Sequence, residues 1–262
     1  MRKANIWSIK TLALLLAALT ILAFAPLAAA QVVVDIGAVS DNESGTGWST
    51  CNNFLTIHDG ADIVITGTTN DRRVLVEENA TVNITLDGVR VGIAKGAPRN
   101  LKALEIRTGA DVTLVLSGAN TLEGISAPAW YTADVTLVIN GSGHLEAPGG
   151  ISIHGINSDL TIDGGTITAS GNIGISVSGG NLTINRGKVT ATGSDGHHQL
   201  GIFVLSGAIT INGGIVTASG SIGISVSGGN LTINGGTVTA RGRSADILVR
   251  RTPRLLRTIV NF

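Results

Sequence analysis

The chain is poor in aromatic side chains, in charge and in sulfur. Aromatics are 3% of its 262 residues, too few for a thick core built on large rings. Cys51 is the only cysteine, so no intrachain disulfide forms and Cys51 reads as a small buried or semi-buried residue in preference to a reactive thiol. Charged residues make up 14% and the formal net charge is zero. That balance is uneven, because Arg2, Lys3 and Lys10 belong to the first 30 residues and six arginines lie between Arg241 and Arg257. From Gln31 to Ala240, 9 basic residues face 17 acidic ones. A mildly acidic body repels polyanions, which argues against nucleic acid as a partner. No apolar run after residue 30 is long enough to cross a bilayer as a helix.

What the chain does have is glycine, 36 residues of it, and a hydrophobic share of 43% carried mostly by Val, Ile, Leu and Ala. Small corners and β-branched side chains suit a thin interior made of short strands. The N-terminus combines basic residues, an apolar run from Thr11 to Ala25, and Ala28-Ala29-Ala30 ahead of Gln31. This pattern predicts a signal peptide over residues 1–30, cleaved after Ala30, and hence a secreted protein that is extracellular or held at the cell surface, with no membrane span after cleavage. Residues 31–53, with one apolar strand at Val32–Ile36 followed by a Gly/Ser/Asn-rich stretch, are expected to form an N-terminal cap and linker.

The organising feature is a repeat. NIGISVSGGNLTIN at Asn172–Asn185 returns at Ser221–Asn234 with only its first residue changed, and a looser version, GIFVLSGAITINGGIVTASG, lies between them from Gly201. A period in the twenties is that of a solenoid. A phrase of alternating apolar and Thr-like residues closed by a polar residue and, in most copies, glycine begins at Asp62, Thr81, Asp111, Asp134, Asp159, Asn181, Ala208 and Asn230, which makes eight rungs. One strand follows the phrase (Thr166–Ala169, Thr237–Ala240) and another precedes it (Val74–Val76, Ile175–Val177). Three strands per turn predict an all-β, right-handed parallel β-helix over residues 54–249, with 250–262 as a C-terminal cap or tail.

Stacking converts positions into columns. The first residues of the phrases place Asp111, Asp134 and Asp159 on consecutive rungs, where mutual repulsion favours either solvation or a shared cation such as Ca²⁺; Asp and Asn at a corner equally serve as side-chain turns. The last residues, Asn185, Asn212 and Asn234 among them, are expected to stack as an amide ladder. Outward threonines (Thr113, Thr136, Thr161 and Thr183; Thr168, Thr190, Thr217 and Thr239) form rows like those of ice-binding solenoids, although Thr is also at home on any exposed strand. Glu123 and Glu146 are expected side by side on adjacent rungs with His144 next to Glu146, a carboxylate pair that suits either surface charge or acid and nucleophile in a polysaccharide lyase-like or glycosidase-like enzyme. Trp130-Tyr131 and Trp48 offer aromatic platforms for sugar. His197 and His198, in an inserted corner, are candidate metal ligands or part of a solvated loop.

The phrases DGADIVITG, GADVTLVLSGANTLEG, VINGSGHLEAPGG, GGNLTINRGKVTATG and GGNLTINGGTVTARG resemble a large group of secreted bacterial β-helix proteins labelled carbohydrate-binding-domain-containing. The resemblance runs from about Phe54 to Gly242, and the arginine-rich end departs from it. The clostridial type is associated with acidic plant polysaccharide, cellulose and calcium. The resemblance therefore implies a non-catalytic polysaccharide-binding protein, with calcium resting on Asp111, Asp134 and Asp159. A structural or adhesive cell-surface solenoid and a lyase-like enzyme are the alternatives.

Overall fold

The computed structural model describes residues 31–93, 101–128, 134–194 and 199–250, and among these every regular element is a β-strand. Met1–Gln31 is a unit apart from Val32–Phe262. The expected leader, the 251–262 part of the expected tail, Trp130-Tyr131 and His197-His198 lie outside the described residues.

Val32–Phe262 contains a parallel β-solenoid of about eight turns. Each complete turn lays down one strand on each of three faces. The first, the phrase face, starts with Val32–Asp35, Asp62–Thr66, Thr81–Asp87 and Asp111–Ser117 and ends with Ile209–Ile211 and Leu231–Ile233. The second, the threonine face, includes Ala119–Leu122, His144–Ala147 and the second part of Asp159–Gly171. The third, the serine face, runs from Phe54–Ile57 and Arg73–Val76 through Ile151–His154, Ile173–Ser178 and Leu200–Leu205 to the last part of Thr237–Arg250. All pairings between rungs are parallel. Val32–Asp35, expected as a cap strand, is the first strand of the phrase face itself.

Period-two alternation builds the core. Ile63, Ile84, Leu114, Ile139, Ile162, Ile184 and Ile211 stand one above another in register and all have 0% exposure. Burying each such side chain is worth about 1.5–3 kcal/mol. The column ends at Ile233, which is 38% exposed because no described rung covers it. The amide ladder forms as expected: Asn212 Nδ2 donates to Asn185 Oδ1 at 2.9 Å, and Asn234 Nδ2 to Asn212 Oδ1 at 2.8 Å.

The stretch expected to be a linker is instead folded. Ser44–Gly45, Trp48–Cys51 and Phe54–Ile57 form an antiparallel meander. Its second turn is Asn52-Asn53, both with positive φ (49° and 66°), the combination that a tight two-residue hairpin needs and that asparagine tolerates. Phe54–Ile57 then also pairs in parallel with Arg73–Val76. The meander thereby covers the N-terminal edge of the serine face, which would otherwise be free to pair with another chain.

Three expected alignments are corrected by two residues each. Asp62 pairs with Asn83 and not Thr81. Asp111 pairs with Thr136, which in turn pairs with Asp159, so Asp134 is not in that column. Thr121 pairs with Glu146, so Glu123 is not opposite Glu146. The outward threonine column is interrupted for the same reason: Val138, not Thr136, stands between Thr113 and Thr161. A slip of two keeps every apolar side chain pointing inward, so the alternation that identifies the strands leaves this register open.

Candidate functional site

The serine face carries the best-defined outward surface. Its strands present small polar side chains at one position, Ser126, Ser152, Ser176 and Ser225, in register on successive rungs except where Phe203 replaces serine between Ser176 and Ser225. Neighbouring residues Ile202 and Val204 are fully buried, so alternation turns the Phe203 ring outward. The ring is half-buried, and beside it Ser176 and Ser225 retain only 3% and 6% exposure. Two residues further along the strands, His154, Ser178, Leu205 and Ser227 form a second column. His154 Nε2 lies 3.3 Å from Ser176 Oγ. Burial holds the His154 imidazole below its ordinary pKa and favours the neutral ring. Leu205 is 41% exposed. Ser176 and Ser225 are covered, so the accessible set is the half-buried ring, the partly exposed Ser178 and Ser227 and a neutral imidazole, which suits the apolar faces and hydroxyl edges of a sugar.

A second candidate is an open groove of about 480 Å³ at the corner between the phrase and threonine faces, lined by Asn140, Asp163, Arg186 and the glycines 141, 164, 165 and 187. Arg186 Nη2 donates to Asp163 Oδ2 at 3.0 Å and its Nε to the Asp163 carbonyl at 2.9 Å. The guanidinium is thus already committed to Asp163, and no ring lines the groove.

The residues singled out from sequence are dispersed. Asp111 and Asp159 flank Thr136, two rungs apart, or about 9.6 Å at the strand spacing. Asp134 Oδ1 instead accepts from Asn157 Nδ2 at 3.2 Å. Asp159 Oδ1 accepts from the backbone N and Nδ2 of Asn181 at 2.7 and 3.1 Å, the corner-turn role. The three carboxylates therefore do not converge. Among the described residues no three His, Cys, Asp or Glu side chains are grouped to hold a metal, and the donor set does not fit a Ca²⁺ shell of 6–8 oxygens drawn from this column.

Glu146 and His144 share one strand of the threonine face, with Glu146 between Thr121 and Thr168 and His144 between Ala119 and Thr166. Glu123 lies at the corner toward the serine face, where its charge favours the Lys102 ammonium. Burial of Lys102 outweighs that help and holds its pKa below the ordinary lysine value. Lys102 Nζ donates to the Gly149 carbonyl. The acid pair required for glycoside hydrolysis is not assembled from Glu123 and Glu146.

Phe203 was absent from the sequence candidates. Its signal was in the repeat: IGISVS at Ile173 and again at Ile222 bracket LGIFVL at Leu200, which carries Phe for Ser and Leu for Ser at the outward positions.

The comparison with known families supplies the assignment. Residues 51–249, nearly the whole described solenoid, match the family of carbohydrate-binding domain-containing proteins. The chain belongs to this family. Comparison with curated proteins and with solved structures gave no match. For a carbohydrate-binding domain-containing protein the serine face is the surface whose chemistry fits best, since it sets a ring among the partly exposed hydroxyls of Ser126, Ser152, Ser178 and Ser227.

Proposed function

We propose that the protein is secreted and binds polysaccharide without cleaving the glycan backbone, holding the chain on the outer surface of the serine face with Phe203 as the stacking platform. The observation that supports this reading is the family match across residues 51–249. The placement on the serine face rests on Phe203 and the partly exposed Ser178 and Ser227 on the adjacent rungs. A regular strip of side chains repeating at about 4.8 Å suits a polymer, because neighbouring sugars meet similar groups on successive rungs. Trp130-Tyr131 follows the strand Ile125–Pro128 of the same face in sequence and belongs to the proposal as a second aromatic contact.

A glycan array of plant and microbial polysaccharides, neutral and acidic, tests this reading with the full chain in calcium and in chelator. The expected result is retention of at least one polysaccharide. Retention in calcium but not in chelator assigns a cation to the complex, held by carboxylates of the glycan itself. No retention under either condition overturns the carbohydrate reading and leaves a structural or adhesive solenoid. Release of unsaturated or reducing sugar from the arrayed glycans overturns the non-cleaving part of the proposal.

A further inference from the structure

The N-terminal end of the serine face holds three residues in a line that neither the repeat nor the binding strip explains. Ser49 lies on Trp48–Cys51, His58 directly follows Phe54–Ile57, and Glu77 directly follows Arg73–Val76. These three strands are adjacent, the first pair antiparallel and the second parallel. Alternation puts all three side chains on the outer surface, opposite the buried Leu55, Ile57, Val74 and Val76. His58 Nε2 is 2.9 Å from Ser49 Oγ, and His58 Nδ1 is 2.9 Å from Glu77 Oε1. The His58 and Glu77 side chains are 36% and 45% exposed, so a substrate has access to them.

This is the connectivity of a nucleophile, base and acid: a hydroxyl on one ring nitrogen and a carboxylate on the other. Such constellations are recognised by geometry and not by fold or order along the chain. We propose that Ser49, His58 and Glu77 form an ester-hydrolysing site. Ser49 Oγ attacks the ester carbonyl while His58 Nε2 takes its proton. The tetrahedral intermediate collapses, the alcohol leaves with that proton from His58, and Ser49 is left acylated. Water then attacks the acyl group, gives one proton to His58, and collapse releases the carboxylic acid as Ser49 regains its proton. Glu77 is a positioning residue that fixes the His58 tautomer with a proton on Nδ1 and stabilises the imidazolium as it forms. Register places Ser44 and Thr56 opposite Ser49 on its two sides, and their hydroxyls are the side-chain donors offered to the developing oxyanion.

The substrate class follows from position and rests on the polysaccharide-binding reading. The line sits on the face that carries Phe203, whose strand is five spacings, or about 24 Å, from that of Glu77 and seven, or about 34 Å, from that of Ser49. A glycan held along the strip brings ester substituents on its hydroxyls, such as acetyl groups, past Ser49.

The test uses the full chain, a fluorophosphonate probe and p-nitrophenyl acetate, neither of which contains sugar, so its outcome is separate from that of glycan binding. The expected results are labelling mapped to Ser49, and p-nitrophenyl acetate hydrolysis reduced at least about 100-fold in Ser49→Ala and His58→Gln. Glu77→Gln is expected to lose labelling rate and Glu77→Asp to restore part of it, a rescue that a merely structural clip between hairpin and solenoid would not produce. Acetate release from an acetylated polysaccharide by the wild-type chain, lost in Ser49→Ala, supports the substrate class. Absence of labelling at Ser49, or hydrolysis unchanged in Ser49→Ala with an unaltered melting profile, would overturn the proposal.

Discussion

Replacing Phe203 by leucine should weaken retention of the bound polysaccharide by about two- to tenfold while leaving the melting temperature close to that of the wild type. The leucine keeps an apolar cover over Ser176 and Ser225, which flank position 203 on the adjacent rungs, but removes the ring. Stacking of one ring is worth about 0.5–1.5 kcal/mol beyond the area it buries, and 1.4 kcal/mol corresponds to a tenfold change in affinity. Phe203→Ala should lose the same affinity with a larger drop in stability, because the flanking serines then lose their cover. Ile215→Thr on the threonine face is the control. It removes a side chain that is 51% exposed and places a threonine between Lys188 and Thr237, with no expected effect on retention. Equal losses for Phe203→Leu and Ile215→Thr in a titration with the retained polysaccharide would place binding elsewhere.

The second large effect is on the fold. Gly207→Ala should lower stability by about 3 kcal/mol or more, the upper range for forcing an extra carbon into a packed interior. That corresponds to a fall of roughly 6–12 °C for a domain of this size. At the corner from the serine face to the phrase face, Gly180, Gly207 and Gly229 stack on successive rungs. A Cβ on Gly207 would stand 1.7 Å from the Gly180 carbonyl oxygen, and one on Gly229 would stand 1.8 Å from that of Gly207. Backbone, not a yielding side chain, is what the new atom meets, so the rung must move away from its neighbour. Gly60→Ala separates this cause from loss of glycine as such. Gly60 has φ of +74° but nothing within 4 Å of the added carbon, so only the left-handed strain of about 1–2 kcal/mol applies. Thermal melts that ranked Gly60→Ala as the more damaging change would contradict the corner-stacking account.

The same corner shows what was readable from residues alone. The two near-identical copies at Asn172 and Ser221, and the alternation within each phrase, specify strands, corners and a solenoid, because a buried column such as Ile162, Ile184 and Ile211 demands one apolar residue at every second position. The Asn185, Asn212, Asn234 ladder was legible for the same reason, since the three residues ahead of each asparagine, Leu-Thr-Ile or Ile-Thr-Ile, are nearly identical. Register was legible there and between Thr81 and Asp111, which pair as expected. The stretch from Ile125 to Thr136 is longer than those between the paired positions on the adjacent rungs, Leu104 to Asp111 and Ile151 to Asp159, so Asp134 falls two residues before the column it was expected to join. A two-residue slip leaves Val135, Leu137 and Ile139 facing inward at 0% exposure, and hydrophobicity cannot oppose it. Every site expectation built on matching unlike rungs inherited this ambiguity, the aspartate column and the Glu123–Glu146 pair alike. The line of Ser49, His58 and Glu77 was hidden by a different cause: it depends on an antiparallel hairpin closed by Asn52-Asn53 in a stretch whose composition reads as linker.

Hydroxyl-radical footprinting of the full chain, free and saturated with the polysaccharide retained on the array, tests most directly whether the serine face is the binding surface. Protection of Phe203 and Leu205, with Ile215 on the threonine face oxidised equally in both states, is the result expected. Protection of Ile215 with Phe203 and Leu205 unchanged would contradict the assignment.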